Sequence, residues 1–325
     1  MNCAFDRGRG GSILLAAALA WAAAAPAPAW NHVGHKAVAG LAWKKLGGKT
    51  RERLRVLLER HPDFSLLSQG APEQDRHRVA FLNAAYWPDT IKGDPRFYDE
   101  GRSNAVPTPA LTGFFDMKQR RNWHYVNVAF SPDGTATRPA PEPNVLTQLK
   151  IILPAIGRQP VAPGTVPPEQ DPVYLLPWLL HLVGDVHQPL HCATRYLASQ
   201  VGRDNRPMSD LGGNTVRLAG GSNLHAFWDD ALGDTAGLEF VELTVRQLES
   251  VKVRGNRKEL RPEVWVQEGF AVARIAVYSF GDDAGTAENP ITLPDAYVGA
   301  ARKVAGERAA LGALRLAELL NRTLR

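Results

Sequence analysis

The sequence predicts a mainly α-helical protein. Three observations carry that expectation. Apolar residues recur at helical spacing, from Ala37, Val38, Leu41 and Ala42 near the start to an alanine-rich segment over 293–324. Extended patterning is confined to two short pieces, near 123–128 and 215–218. Connectors rich in Gly, Pro, Ser and Asn separate the helical stretches at 93–113, 131–143 and 157–171.

Residues 1–29 read as a secretory signal. Arg7 and Arg9 form a basic start, 13–25 is an apolar run too short to span a bilayer, and Ala27-Pro28-Ala29 is a cleavage site. The expected exported chain begins at Trp30, is secreted or periplasmic, and carries no membrane anchor. Cys3 leaves with the signal and Cys192 stays alone, so no intrachain disulfide is expected. Cys192 reads as a small buried apolar residue rather than a thiolate ligand. A net charge of +5 is compatible with a polyanionic partner.

In chain order, the first helix follows Trp30 and places His35 in its first turn, with His32 read as surface. A cleaved chain offers the Trp30 amine and carbonyl as a chelating pair. A second helix over 50–60 turns Leu54, Leu57 and Leu58 inward. A third over 72–86 delivers Trp87-Pro88-Asp89-Thr90-Ile91-Lys92, with Asp89 held rigidly just past the helix end. The run from Lys118 through Arg120 and Arg121 to Trp123, His124 and Tyr125 mixes basic and aromatic residues. That mixture suits phosphate and base contact, and a solvated face is the plainer alternative. Residues 144–156 form a helix.

The stretch Trp178-Leu-Leu-His181-Leu-Val-Gly-Asp185-Val-His187-Gln-Pro-Leu-His191 is the centre of the sequence. At 3.6 residues per turn, His181 and Asp185 share a helix face among apolar neighbours. A buried carboxylate and imidazole need partners, and a divalent metal suits both. Pro189 is expected to stop or kink the helix and re-aim His191. Residues 194–211 read as polar and irregular, Gly212-Gly213-Asn214 as a tight turn, and Gly220-Gly221 as a break. Asn223 caps a helix in which His225 and Asp229 repeat the same spacing. Helices follow at 240–251, at 262–279 with Val264, Phe270, Val272 and Ile275 near one face, and at 293–324. A basic connector spans 253–261. No repeat, zinc-finger spacing, phosphate-binding glycine loop or Gly-x-Ser-x-Gly elbow occurs.

Taken together, these motifs resemble the family of zinc-dependent single-strand nucleases and 3′-nucleotidases. The matching pieces are residues 30–35, Trp87-Pro-Asp89-Thr-Ile-Lys92, Trp123-His124-Tyr125, residues 181–191, Gly212-Gly-Asn214 and residues 223–229. The resemblance implies one mainly α-helical domain over 30–325, of the phospholipase C and single-strand nuclease type, with three Zn²⁺ in a cleft. It implies that Asp89, His124, His181 and Asp185 hold one zinc. His191, His225 and Asp229 hold a second. The Trp30 amine and carbonyl, His35 and Asp185 hold a third.

The catalytic set is then Asp89, Lys92 and Asp185, with Lys92 near the phosphate, and Tyr125, Asn127 and Asn214 as substrate contacts. Asn127 replaces a base-contacting carboxylate of the better-known fungal enzyme, so its base preference does not transfer. Asp230 stands where an amide is expected, and His187 is read as structural. The implied activity is cleavage of single-stranded DNA and RNA to 5′-phosphorylated products, with 3′-nucleotidase activity, by a monomer. A zinc phospholipase C and a non-catalytic zinc-binding exported protein are the competing expectations.

Overall fold

A computed structural model describes residues 30–114, 116–160, 166–167, 170–202, 206–281 and 285–325. The expected signal at 1–29 lies outside them. Among the described residues the helices are α1 (His32–Lys44), α2 (Gly48–Glu59), α3 (Phe64–Leu67), α4 (Arg76–Ala84), α5 (Trp87–Thr90), α6 (Val145–Ala155), α7 (Pro172–Asp185), α8 (Leu224–Asp229), α9 (Leu238–Ser250), α10 (Pro262–Val272) and α11 (Asp295–Thr323). Three strands, β1 (Val128–Phe130), β2 (Ala193–Val201) and β3 (Pro207–Ser209), make a small sheet in that order. None of these helices is long and apolar enough to cross a membrane.

The core is built around α7, all of whose residues are buried. Its sequence is apolar on every side, and such a helix is stable only when wrapped on every side. α1, α2, α4, α5, α6 and α11 pack against it. Asp171 starts it by accepting from the Val173 amide at 2.9 Å, and Pro172 takes the first position, where an amide hydrogen is not needed. Tryptophans pack edge-on around its middle: Trp178 lies 4.8 Å from Trp123 and 6.3 Å from Trp87 between ring centroids. Each fully buried large apolar side chain contributes about 1.5–3 kcal/mol.

Pro189 does not end α7. The helix stops at Asp185, because the His187 ring donates Nδ1–H to the Val183 carbonyl (2.8 Å) while the His187 amide turns to Gly184 (3.0 Å). Pro189 instead opens a 3₁₀ turn, Pro189–His191, whose first available amide, that of Leu190, donates to the Gln188 side chain. Asp89 likewise lies within a helical turn of its own, α5, rather than just past the preceding helix.

The segment 194–211, expected to be irregular, holds β2 and β3. β1 and β2 are parallel, with Val128 opposite Ala193 and Phe130 opposite Arg195; β3 runs antiparallel to β2, with Tyr196 opposite Ser209. Polar letters hid this pairing. Arg195 is buried, its guanidinium 4.7 Å from the Tyr278 ring centroid, and Asp210 accepts from the Arg195 amide (2.9 Å) and the Tyr278 hydroxyl (2.7 Å). A π-helical turn, Ala273–Val277, shifts the phase after α10. The buried face there is Trp265, Val266, Gly269, Ala273 and Val277, and Ile275, expected beside Val264 and Phe270, is 78% exposed.

Candidate metal centre

Two groups of buried histidines and aspartates converge at the C-terminal end of α7. The first draws on four segments: His35 from α1, Asp89 from α5, His124 from the 3₁₀ turn before β1, and His181 and Asp185 from α7. Asp185 is its hub. Its Oδ1 lies 3.3 Å from His35 Nε2, and its Oδ2 lies 3.1 Å from His124 Nδ1 and 3.3 Å from His181 Nε2. Asp89 Oδ1 is 3.7 Å from His181 Nε2 and 3.8 Å from His124 Nδ1. The His35 and His181 rings stack at 3.8 Å. The second group is His191, His225 and Asp229, with His225 Nε2 3.2 Å from His191 Nε2 and 3.5 Å from Asp229 Oδ2.

Main-chain carbonyls orient these rings. His181 Nδ1–H donates to Ala85 (2.8 Å), His191 Nδ1–H to His124 (2.6 Å) and His225 Nδ1–H to Gly212 (2.7 Å). Each bond fixes the tautomer and leaves Nε2 as the free electron pair facing the group, the arrangement metal-binding imidazoles use. Gly212 can present its carbonyl because its φ of +64° suits glycine, and an added Cβ would lie 2.7 Å from the Leu190 carbonyl.

Burial governs the charge states. It holds His35, His124, His181 and His191 well below the usual imidazole value and His225 at about 4, and the Lys92 ammonium adds to the effect at His124 and His181. These rings are neutral, the ligating form. Burial pushes Asp185 and Asp229 well above the carboxylate range, and the Asp89 charge adds to this at Asp185. Three groups of side-chain atoms are close enough to share an ion: His35, Asp89 and His181; His124, His181 and Asp185; and His191, His225 and Asp229.

The remaining expected residues fall as follows. Trp30 is buried; its indole donates to the Gly184 carbonyl (3.0 Å), and the next amide, Asn31, donates to Asp229 O (3.2 Å). The Trp30–Asn31 segment is thereby pinned between Gly184 and Asp229. Lys92 Nζ lies 2.5 Å from Asp89 Oδ1. Tyr125 and Asn127 follow His124, both half-buried, and among the described residues no hydrogen bond joins their side chains to either group. Asn214 is buried in the turn that holds His225 and donates to Leu211 O at 2.9 Å. Asp230 accepts from Asn31 Nδ2 (2.8 Å), tying α8 to the cap of α1. Cys192 is buried with its thiol pushed up to about 12, and its S–H donates to Val186 O, so it holds no thiolate here.

Sequence reasoning missed three participants. Gln188 donates Nε2–H to Asp229 Oδ1 at 2.7 Å and so fixes the second group from α7's end. Tyr86, three residues before Asp89, packs against His35 (6.3 Å between centroids). His32, read as surface, is half-buried, with its ring 6.1 Å from Tyr86. For Tyr86 the available signal is spacing, since three residues back from a ligand returns to the same helix face.

An independent comparison bears on this geometry. The S1/P1 Nuclease family profile matches residues 30–325. The chain belongs to the S1/P1 nuclease family. Endonuclease 2 of Arabidopsis thaliana is 28% identical over 160 residues, 44% of this chain and 49% of that protein. The chain therefore matches about half the length of that curated relative. Membership of the S1/P1 nuclease family accounts for the mainly helical fold and for buried histidine–aspartate groups suited to metal ions.

Proposed function

We propose that this chain is an exported, zinc-dependent phosphodiesterase that hydrolyses single-stranded DNA and RNA to 5′-phosphorylated products and removes 3′-phosphates from nucleotides. The observation that carries the reading is a set of buried polar atoms with no hydrogen-bond partner: Asp89 Oδ2, Asp185 Oδ1, Asp229 Oδ2, His124 Nε2 and both ring nitrogens of His35. Buried polar atoms are normally satisfied. Burial disfavours bare negative charge on Asp185 and Asp229 and positive charge on the rings beside them, and a divalent cation answers both, since it balances the carboxylates and takes the lone pairs of neutral imidazoles. The residues fit the implied metal.

In this reading one zinc takes Asp89, His124, His181 and Asp185. A second takes His191, His225 and Asp229. A third takes His35, Asp185 and, once residues 1–29 are removed, the Trp30 amine and carbonyl. Bound zinc ions would lower the pKa of water toward neutrality and stabilise charge on phosphoryl oxygens. The chain's own groups supply the rest. Lys92 brings a cation to the same place and neutralises charge that grows on the phosphate. Gln188 and the Ala85, His124 and Gly212 carbonyls hold the ligands in orientation. Tyr125 offers a ring for a base, and Asn127 and Asn214 offer amides for substrate.

Replacing Asp185 tests the reading most directly, because it touches His35, His124 and His181 together. Asp185→Asn should lose bound zinc in elemental analysis and lose hydrolysis of single-stranded DNA and RNA. Full zinc content and full activity in that variant would falsify the three-metal site, and products ending in 3′-phosphate would refute the proposed bond cleavage.

A further inference from the structure

The two arginines of the run before His124 are neutralised within the protein. Arg120 pairs with Asp116, and its amide donates to Glu100. Arg121 pairs with Asp99 (3.1 Å) and donates to Gln119 (2.8 Å). A cluster of unpaired cations stands elsewhere. Lys252 and Arg254, on the connector after α9, and Arg302 and Lys303, in the early turns of α11, line one cavity of about 620 Å³. Among the described residues none of the four side chains has an ion pair or a hydrogen bond, and Glu307 is the one carboxylate in that lining. Arg257 and Lys258 continue the positive charge along the connector.

Like charges gathered on a concave wall repel one another and focus a positive field into the groove, which an anionic chain relieves. The groove is also extended. Ala231, Leu232 and Arg302 belong both to this cavity and to a neighbouring one of about 660 Å³ that reaches Phe227 and Asp230. Phe227 and Asp230 lie away from the His225 and Asp229 face of α8, so the groove passes behind that helix rather than through the metal centre. No aromatic side chain lines the cavity that holds the four cations, so they suit the phosphates of a strand rather than its bases.

We propose that this groove is a second binding surface for the sugar–phosphate backbone of a single strand, holding long substrates to the protein at a distance from the metal centre. It rests on the nuclease reading above.

The test uses the zinc-loaded protein and the charge-reversed variant Lys252→Glu, Arg254→Glu, Arg302→Glu, Lys303→Glu, all at exposed positions. Four phosphate contacts to a single strand contribute a salt slope of about −3, or roughly fifty-fold in affinity between about 50 and about 200 mM salt. The variant should therefore show a higher KM for a long single strand at low salt and a flatter salt dependence. Its kcat, its zinc content and its kinetics on a dinucleotide should match the wild type. Equal KM and equal salt slope on the long strand would overturn the proposal, and so would the same loss on the dinucleotide.

Fluorescence anisotropy with a labelled single strand separates this from the nuclease reading. If the wild type cleaves nothing yet binds the strand, and charge reversal abolishes the salt-sensitive part, the groove stands while the catalytic reading falls. Binding to vesicles of anionic phospholipid but not to the strand would overturn the groove's assignment.

Discussion

Loss of Arg315 should be among the most costly single changes outside the metal centre. The residue is fully buried behind α7. Its guanidinium donates to both Glu268 carboxylate oxygens (2.7 and 2.8 Å), meets His187 Nε2 at 3.0 Å and donates from Nε to Asn256 O at 3.2 Å. Arg315→Met keeps most of the volume and removes every one of these bonds. Glu268 then retains only Arg308 (3.0 Å), and His187 Nε2 has no donor. Breaking a buried ion pair from one side costs about 3–5 kcal/mol. The Glu268 side chain is 30% exposed, so solvent screens part of its charge and the lower end, about 3 kcal/mol, applies. For a domain of this size that is a fall of roughly 6–12 °C in Tm.

Thermal melts at saturating zinc should show this fall. The double variant Glu268→Gln, Arg315→Met should lose less than the sum of its two parts, since removing both partners leaves no stranded charge. A single variant melting within about 2 °C of wild type would refute the reasoning.

Two further outcomes follow from the geometry. Burial holds His61 at about 4, against an ordinary value of 6.5. Below pH 6.5 the unfolded chain takes up a proton that the native ring refuses, so stability falls as pH drops and the loss is complete near pH 4, a contribution of about 3 kcal/mol. Urea midpoints across that window should be flatter for His61→Gln, and an unchanged slope would rule His61 out as the cause. At Gly184 an added Cβ would stand 2.8 Å from His35 Nδ1, and His35 is already stacked on His181. Gly184→Ala should displace that ring at a cost of about 1–3 kcal/mol and lower the zinc content. Gly299→Ala, with open space around it, should do neither; equal zinc in both variants would count against His35 as a ligand.

The helices were legible wherever period and punctuation agreed. Asn223 announces α8 as a cap, and its side chain accepts the Ala226 amide. α7 was legible for a different reason, since a run apolar on every side has few stable places outside the core. β2 was not legible, because its pairing depends on β1, more than sixty positions away in sequence, and on Arg195, which looks like a surface residue until Asp210 and Tyr278 surround it. The end of α7 was misplaced because a histidine side chain, not a proline, takes the carbonyl that the next turn would use. In the site, residue types and i,i+4 spacing exposed the acidic and imidazole groups. The supporting contacts of Gln188, Tyr86 and Arg315 were invisible, because they join elements whose proximity only the fold creates. Arg120 and Arg121 misled in the opposite way, since sequence shows the cations and not the acids folded against them.

The bond from the His191 ring to the His124 carbonyl has a consequence for how metal enters. His124 contributes its ring to the first group and its carbonyl to the orientation of the second, and the Val126 amide returns a bond to the His191 carbonyl at 2.7 Å. On the proposed ligand assignment, an ion that fixes His124 thereby removes freedom from His191 before the second ion arrives. The entropy of ordering this junction is lost once and serves both groups. Zinc titration of the metal-free protein should then be steeper than independent sites allow, with few molecules half-filled.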